Sequence, residues 1–131
     1  MKINKIEQFN TKAPHLFKKL CDDLGYVLEE IKISEINEKP WSSKHIYINS
    51  EKNLKIEIKQ EPYYTDYGFS IFLRNLENNE YNILFNMPHE NQDEEGKFMA
   101  VAADCIFSSL EVLDLIQGNI WKELRYIPFQ K

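Results

Sequence analysis

The sequence predicts an α+β domain: an antiparallel sheet of about five strands in a meander, with N-terminal and C-terminal helices packed on one face. Three observations lead there. Between His45 and Phe85, the runs HIYINS, LKIEIKQ, GFSIFLR and YNILF alternate apolar with polar or aromatic residues, and SEKN, EPYYTDY and NLENNE separate them. Both ends of the chain instead repeat apolar residues at helical spacing. The strict alternation of the strands leaves each with a polar side, so helices should cover one face of the sheet only.

In chain order, Ile3, Ile6 and Phe9 and then Leu16, Phe17, Leu20, Cys21 and Leu24 mark the N-terminal helix. Pro14 divides the two runs, and Thr11 is placed to start a fresh helix with that proline in its first turn. Gly25 supplies the stop, because glycine takes the left-handed conformation without a Cβ clash. YVLEEIKI, residues 26–33, is the first strand, its alternation interrupted by Glu29 and Glu30. NEKPWSSK, residues 37–44, is a turn-rich link carrying an exposed Trp41.

Within the sheet, the Ile46 and Ile48 side of HIYINS opposes Tyr47, and Leu54, Ile56 and Ile58 oppose Lys55, Glu57 and Lys59; these two strands form the clearest hairpin. Phe69, Ile71 and Leu73 share a face, as do Tyr81, Ile83 and Phe85. Residues 88–96 read as an acidic loop. A long helix follows from Phe98 through Val101, Ala102, Cys105, Ile106, Leu110, Leu113 and Ile116 to its stop at Gly118, and the tail NIWKELRYIPFQK holds one further turn before Pro128.

At 131 residues the chain makes one domain, residues 1–131. Its 43% hydrophobic content and low count of Gly and Pro fit a folded globule, not a disordered tail. The net charge of -5 argues against direct contact with nucleic acid and for a basic partner. That charge is uneven: residues 1–50 hold eight basic and seven acidic side chains, and residues 51–131 hold eight and fourteen. Cys21 and Cys105 lie on apolar helical faces and are expected as buried, reduced thiols of a cytoplasmic protein. MKINKIEQFN lacks the continuous apolar core of a signal peptide, and no segment has the roughly 20 apolar residues of a membrane span.

Catalytic and metal signals are weak. His15, His45 and His89 show no ligand spacing and read as ordinary surface histidines, and a zinc site needs three or four convergent ligands. Cys105 has no evident activating base, and the four isolated glycines form no phosphate cradle, so neither a cofactor nor an enzymatic activity is expected. Asp22/Asp23 and Glu29/Glu30 are adjacent carboxylates that diverge, and read as solvated charge.

Two stretches point instead to a protein partner. Glu90, Asp93, Glu94 and Glu95 concentrate negative potential before a helix; Asn91 with Glu94 fits a capping pattern, and the remaining acids are free to steer a basic partner. Tyr63, Tyr64 and Tyr67 crowd a loop with Glu61 and Asp66, a composition typical of interfaces, although rings of this kind also fold back over sheet edges. Trp41 joins them either as a contact residue or as a lid on the core.

The succession of FKKLCDDLGY, IYINSEKNLKIEI and LIQGNIWKEL resembles the small bacterial immunity proteins of polymorphic and contact-dependent growth inhibition toxin systems. The resemblance lies in architecture, not in a diagnostic motif, and it implies a cytoplasmic, monomeric inhibitor that occludes a cognate toxin domain, often a basic nuclease, and does no chemistry itself. The expected contact residues are Trp41, Tyr63, Tyr64, Tyr67, Glu90, Asp93, Glu94 and Glu95. Two alternatives stand beside it. A secretion chaperone for an effector protein matches in size and charge, but would place a helix where NLENNE leaves no room; an unrecognised small hydrolase would need two titratable groups converging in a pocket.

Overall fold

The computed structural model describes residues 5–61, 68–88, 91–93 and 95–123. The element order is α1 (Lys5–Leu16), α2 (Lys19–Asp22), β1 (Val27–Ile36), β2 (Lys39–Asn49), β3 (Leu54–Gln60), β4 (Phe69–Asn75), β5 (Tyr81–Met87), α3 (Lys97–Ser108) and α4 (Leu110–Ile116). The five strands form one antiparallel sheet in the order β1-β2-β3-β4-β5, the meander expected from the short connections. The helices pack on one side of it. Phe9, Ala13, Phe17 and Leu20 from α1 and its continuation meet Tyr47, Ile56, Ile58, Phe69, Ile71 and Leu73 of the sheet, with Phe98, Ala102, Ile106 and Leu115 completing the cluster. Phe69 stands at its centre, its ring edge-on to Phe9, Phe85 and Phe98 at centroid distances of 6.0, 6.0 and 5.3 Å.

Several elements differ from the sequence expectation. α1 runs through Thr11 instead of restarting there, because the Thr11 hydroxyl donates to the Glu7 carbonyl inside the helix. Pro14 sits two residues before the helix end, and the chain breaks after Leu16 before resuming as α2. Gly25 closes this segment at φ 81°, and the Tyr26 amide reaches back to the Leu20 carbonyl at 2.9 Å.

The stretch at residues 37–44 is no open link. Asn37 and Glu38, at φ 52° and 64°, form a two-residue hairpin turn, and β2 starts at Lys39, so Pro40 and Trp41 belong to the strand. Pro40 is tolerated there because it falls at a register shift opposite Glu35. The C-terminal helix is two helices: Ser109 takes an extended conformation and its hydroxyl accepts from the Val112 amide, ending α3 and capping α4.

Bulges decide which face each side chain takes. A register shift between Leu28 and Glu30 sets the two sides of β1, accounting for the broken alternation at Glu29 and Glu30. A second shift, opposite Ile71 and Phe72, separates Ile83 from Phe85: Phe85 enters the core, while Tyr81 and Ile83 go to the opposite face with Phe72. The expected single face for Tyr81, Ile83 and Phe85 is thereby split. Leu84, at the bulge, is also fully buried.

Two buried-or-exposed expectations reverse. Cys21 is exposed on the short α2, and Cys105 is half-buried; both are free thiols. His45 is not a surface residue but is fully buried on the helix-facing side of β2. Its ring stacks on Phe9 at 4.3 Å, and its Nε2 donates to the Asn10 Oδ1 at 2.8 Å, an oxygen that also accepts from the Ser43 hydroxyl. The Nδ1 atom has no hydrogen-bond partner among the described residues. Burial lowers the His45 pKa to about 4, since protonation would place a charge and an unanswered N–H in the core.

Candidate partner-binding surface

The antiparallel order puts the start of β2, the end of β3, the start of β4 and the end of β5 at one end of the sheet. Cross-strand neighbours Ser43, Gln60, Phe69 and Met87 mark that end. Trp41 lies just beyond Ser43 and is half-buried, not the exposed ring expected from its polar neighbours. Glu61 follows Gln60, and its amide donates to the Gly68 carbonyl at 2.6 Å. Residues 62–67, with Tyr63, Tyr64 and Tyr67, join these two positions and lie outside the described residues, as do Glu90, Glu94 and His89.

The acidic loop reaches the same end. Gln92 accepts from the Gln60 amide group at 3.0 Å and donates to the Met87 carbonyl at 3.1 Å, which ties the loop to β3 and β5. The Lys12 ammonium donates to the Glu95 carbonyl, so the loop is also fastened to α1. Asp93, and not Asn91, serves the helix: its two carboxylate oxygens accept from the Lys97 and Phe98 amides at 3.0 and 2.9 Å. Partial burial alone would raise its pKa, but these backbone hydrogen bonds win and hold it below the usual carboxylate value. Gly96, between Asp93 and the helix, takes φ 80°; a Cβ there would meet the Gln8 side chain of α1 at 2.7 Å.

Glu95 is exposed and pairs loosely with Lys97 at 3.6 Å, a solvent-screened contact that a partner can exchange for its own. Trp41, Glu61, Asp93 and Glu95 therefore share one end of the molecule, with Asp93 committed to the helix and Glu95 facing solvent. Composition made this region visible in the sequence. It did not show that the end of β3 would meet the acidic loop, which the Gln60–Gln92 hydrogen bond brings about.

Elsewhere the surface offers little for chemistry. An open cleft of about 610 Å³ lies between Asp23, Glu29, Glu51 and Gln117, and a second of about 410 Å³ between Glu80, Tyr81 and Trp121. The groups with shifted protonation, Tyr26, His45, Tyr47, Asp93 and Cys105, lie outside both. Among the described residues no group of three or more His, Cys, Asp or Glu is placed to hold a metal ion, and no helix is long and apolar enough to cross a membrane. Comparison with protein-family models, curated proteins and solved structures found no match to this chain.

The sequence reading missed the far side of the sheet. Among the described residues no helix covers it, and register brings together there a set of cations and rings that are scattered along the chain. Glu57, almost buried in the middle of this face, forms ion pairs with Lys44 at 3.7 Å and Lys55 at 3.6 Å. Phe72 and Tyr81 stack at 5.5 Å with 16° between their planes. The signal was present in the alternation of LKIEIKQ, but only pairing shows which charges become neighbours.

Proposed function

We propose that this chain is a cytoplasmic immunity protein that binds a cognate bacterial toxin domain and occludes its active or substrate-binding surface. The observation that carries the reading is the meeting, at one end of the sheet, of Trp41 with the acidic positions Glu61, Asp93 and Glu95. An aromatic side chain beside carboxylates suits a basic protein surface: the charges speed encounter, and the ring buries area that slows release. Tyr63, Tyr64 and Tyr67 lie in sequence between β3 and β4, outside the described residues. Inhibition by occlusion requires no catalytic group of the inhibitor.

The test is capture of the protein with its bound partners from its native cell, identification of the partner by mass spectrometry, and expression of that partner alone. A stoichiometric partner that kills cells in the absence of this chain, and is tolerated in its presence, is the expected result. Trp41→Ala should weaken the complex by about 2 kcal/mol or more, the cost usual for a central aromatic anchor. A captured partner that is harmless alone would overturn the reading.

A further inference from the structure

The uncovered face of the sheet carries charge of the opposite sign to the molecule. Cross-strand register sets Lys32 opposite Lys44 and Lys44 opposite Lys59, a row of lysines on three adjacent strands. Four residues from Lys59 along β3, Lys55 lies directly opposite Arg74. Neighbouring strands are about 4.8 Å apart, so these are like charges at close range, an arrangement that disfavours the bare sheet. Glu57 answers Lys44 and Lys55 only, and the further acids on this side are Glu30, opposite Ile46, and Glu29, which lines a cleft with Val27 and Ile48. Among the described residues no carboxylate lies within ion-pair distance of Lys32, Lys59 or Arg74. Five cations against three carboxylates give this face a net +2, so the rest of a chain of net charge -5 carries -7.

We propose that this face is a second docking surface, for an acidic polypeptide segment of a protein partner. The inference stands independently of the toxin reading and of the sheet end described above. Complementarity of charge selects an anionic occupant, and the aromatic pair selects its class. Phe72 has Tyr81 stacked on it and the Lys59 ammonium over its ring at 4.5 Å, while the Arg74 guanidinium lies over Tyr81 at 5.4 Å. Ring faces already engaged in this way do not offer the free platforms on which single-stranded nucleic acids stack their bases. The -7 on the remainder of the molecule also repels an extended phosphate backbone. A short acidic segment avoids both penalties, and its apolar side chains can lie on Ile48 and the exposed edge of Tyr81.

The experiment titrates a fluorescein-labelled peptide of alternating Glu and Tyr, which puts its acids on one side when extended, against the full chain at low salt. Saturable binding is expected, weakened at least about tenfold in the Lys32→Gln/Lys59→Gln variant, with the thermal midpoint of folding maintained. Trp41→Ala, at the other candidate surface, should leave peptide affinity unchanged. Absence of saturable binding, equal affinity in the lysine variant, loss of binding in Trp41→Ala alone, or tighter binding of a labelled oligothymidylate of equal charge would each overturn the proposal.

Discussion

The two faces of one sheet obey different physics, and β3 shows both within seven residues. Leu54, Ile56, Ile58 and Gln60 point to the helices and are at most 3% exposed, whereas Lys55, Glu57 and Lys59 point to the uncovered side. On the covered face apolar area removed from water dominates, each large side chain contributing about 1.5–3 kcal/mol. On the uncovered face the terms are small, of mixed sign, and set by which charge lies opposite which. The covered face holds the fold together; the uncovered one is held in place by it and is available for recognition.

That contrast can be broken most severely with paired truncations. Phe69→Ala, at the centre of the aromatic cluster, should destabilise by about 3–5 kcal/mol in urea unfolding, because three neighbouring rings lose their partner. Phe72→Ala, three residues along the same strand but on the other face, should cost well under half of that. Equal costs would mean that the second face is as tightly packed as the first.

A second effect comes from the polar group inside the covered face. His45 titrates near 6.5 when unfolded and about 4 when folded, so between those values the unfolded chain binds more protons. Stability is then complete above pH 6.5 and falls as the pH drops towards 4, by about 3 kcal/mol over the whole window. Unfolding curves at stepped pH should show this slope, and His45→Gln should remove it at a constant cost in stability. A His45 contribution that grows as the pH falls would contradict its burial as the neutral ring.

The smallest effect lies at the sheet end. Asp93→Ala should cost about 1 kcal/mol by uncapping α3, measurable by thermal denaturation, whereas Glu95→Ala should change stability little because its ion pair is exposed. If the two substitutions cost the same, Asp93 is as free for a partner as Glu95.

How far the molecule was legible in its sequence follows the same division. Strand number, the hairpin neighbours and the role of Gly25 were readable, because alternation and backbone conformation are local properties, whereas the place of the first strand in the sheet was not. The hairpin at Asn37 and Glu38 was hidden by Pro40, which reads as a strand breaker unless its register shift is known. Bulges at Glu29 and Leu84 and the break at Ser109 are single-residue events that tertiary packing decides. His45 was misplaced because nothing local says that Asn10, thirty-five positions earlier, will supply its hydrogen bond. The candidate surface at the sheet end was legible from composition; the cation rows, being a product of register, were not.

Hydroxyl-radical footprinting of the free chain, and then of the chain saturated with the acidic peptide, tests most directly the claim that one face folds and the other binds. Free, Tyr81 and Phe72 should react while Phe69 and Phe85 stay protected; on saturation, protection should spread to Tyr81 and Phe72. Protection of Tyr81 in the free chain, or no change on saturation, would contradict it.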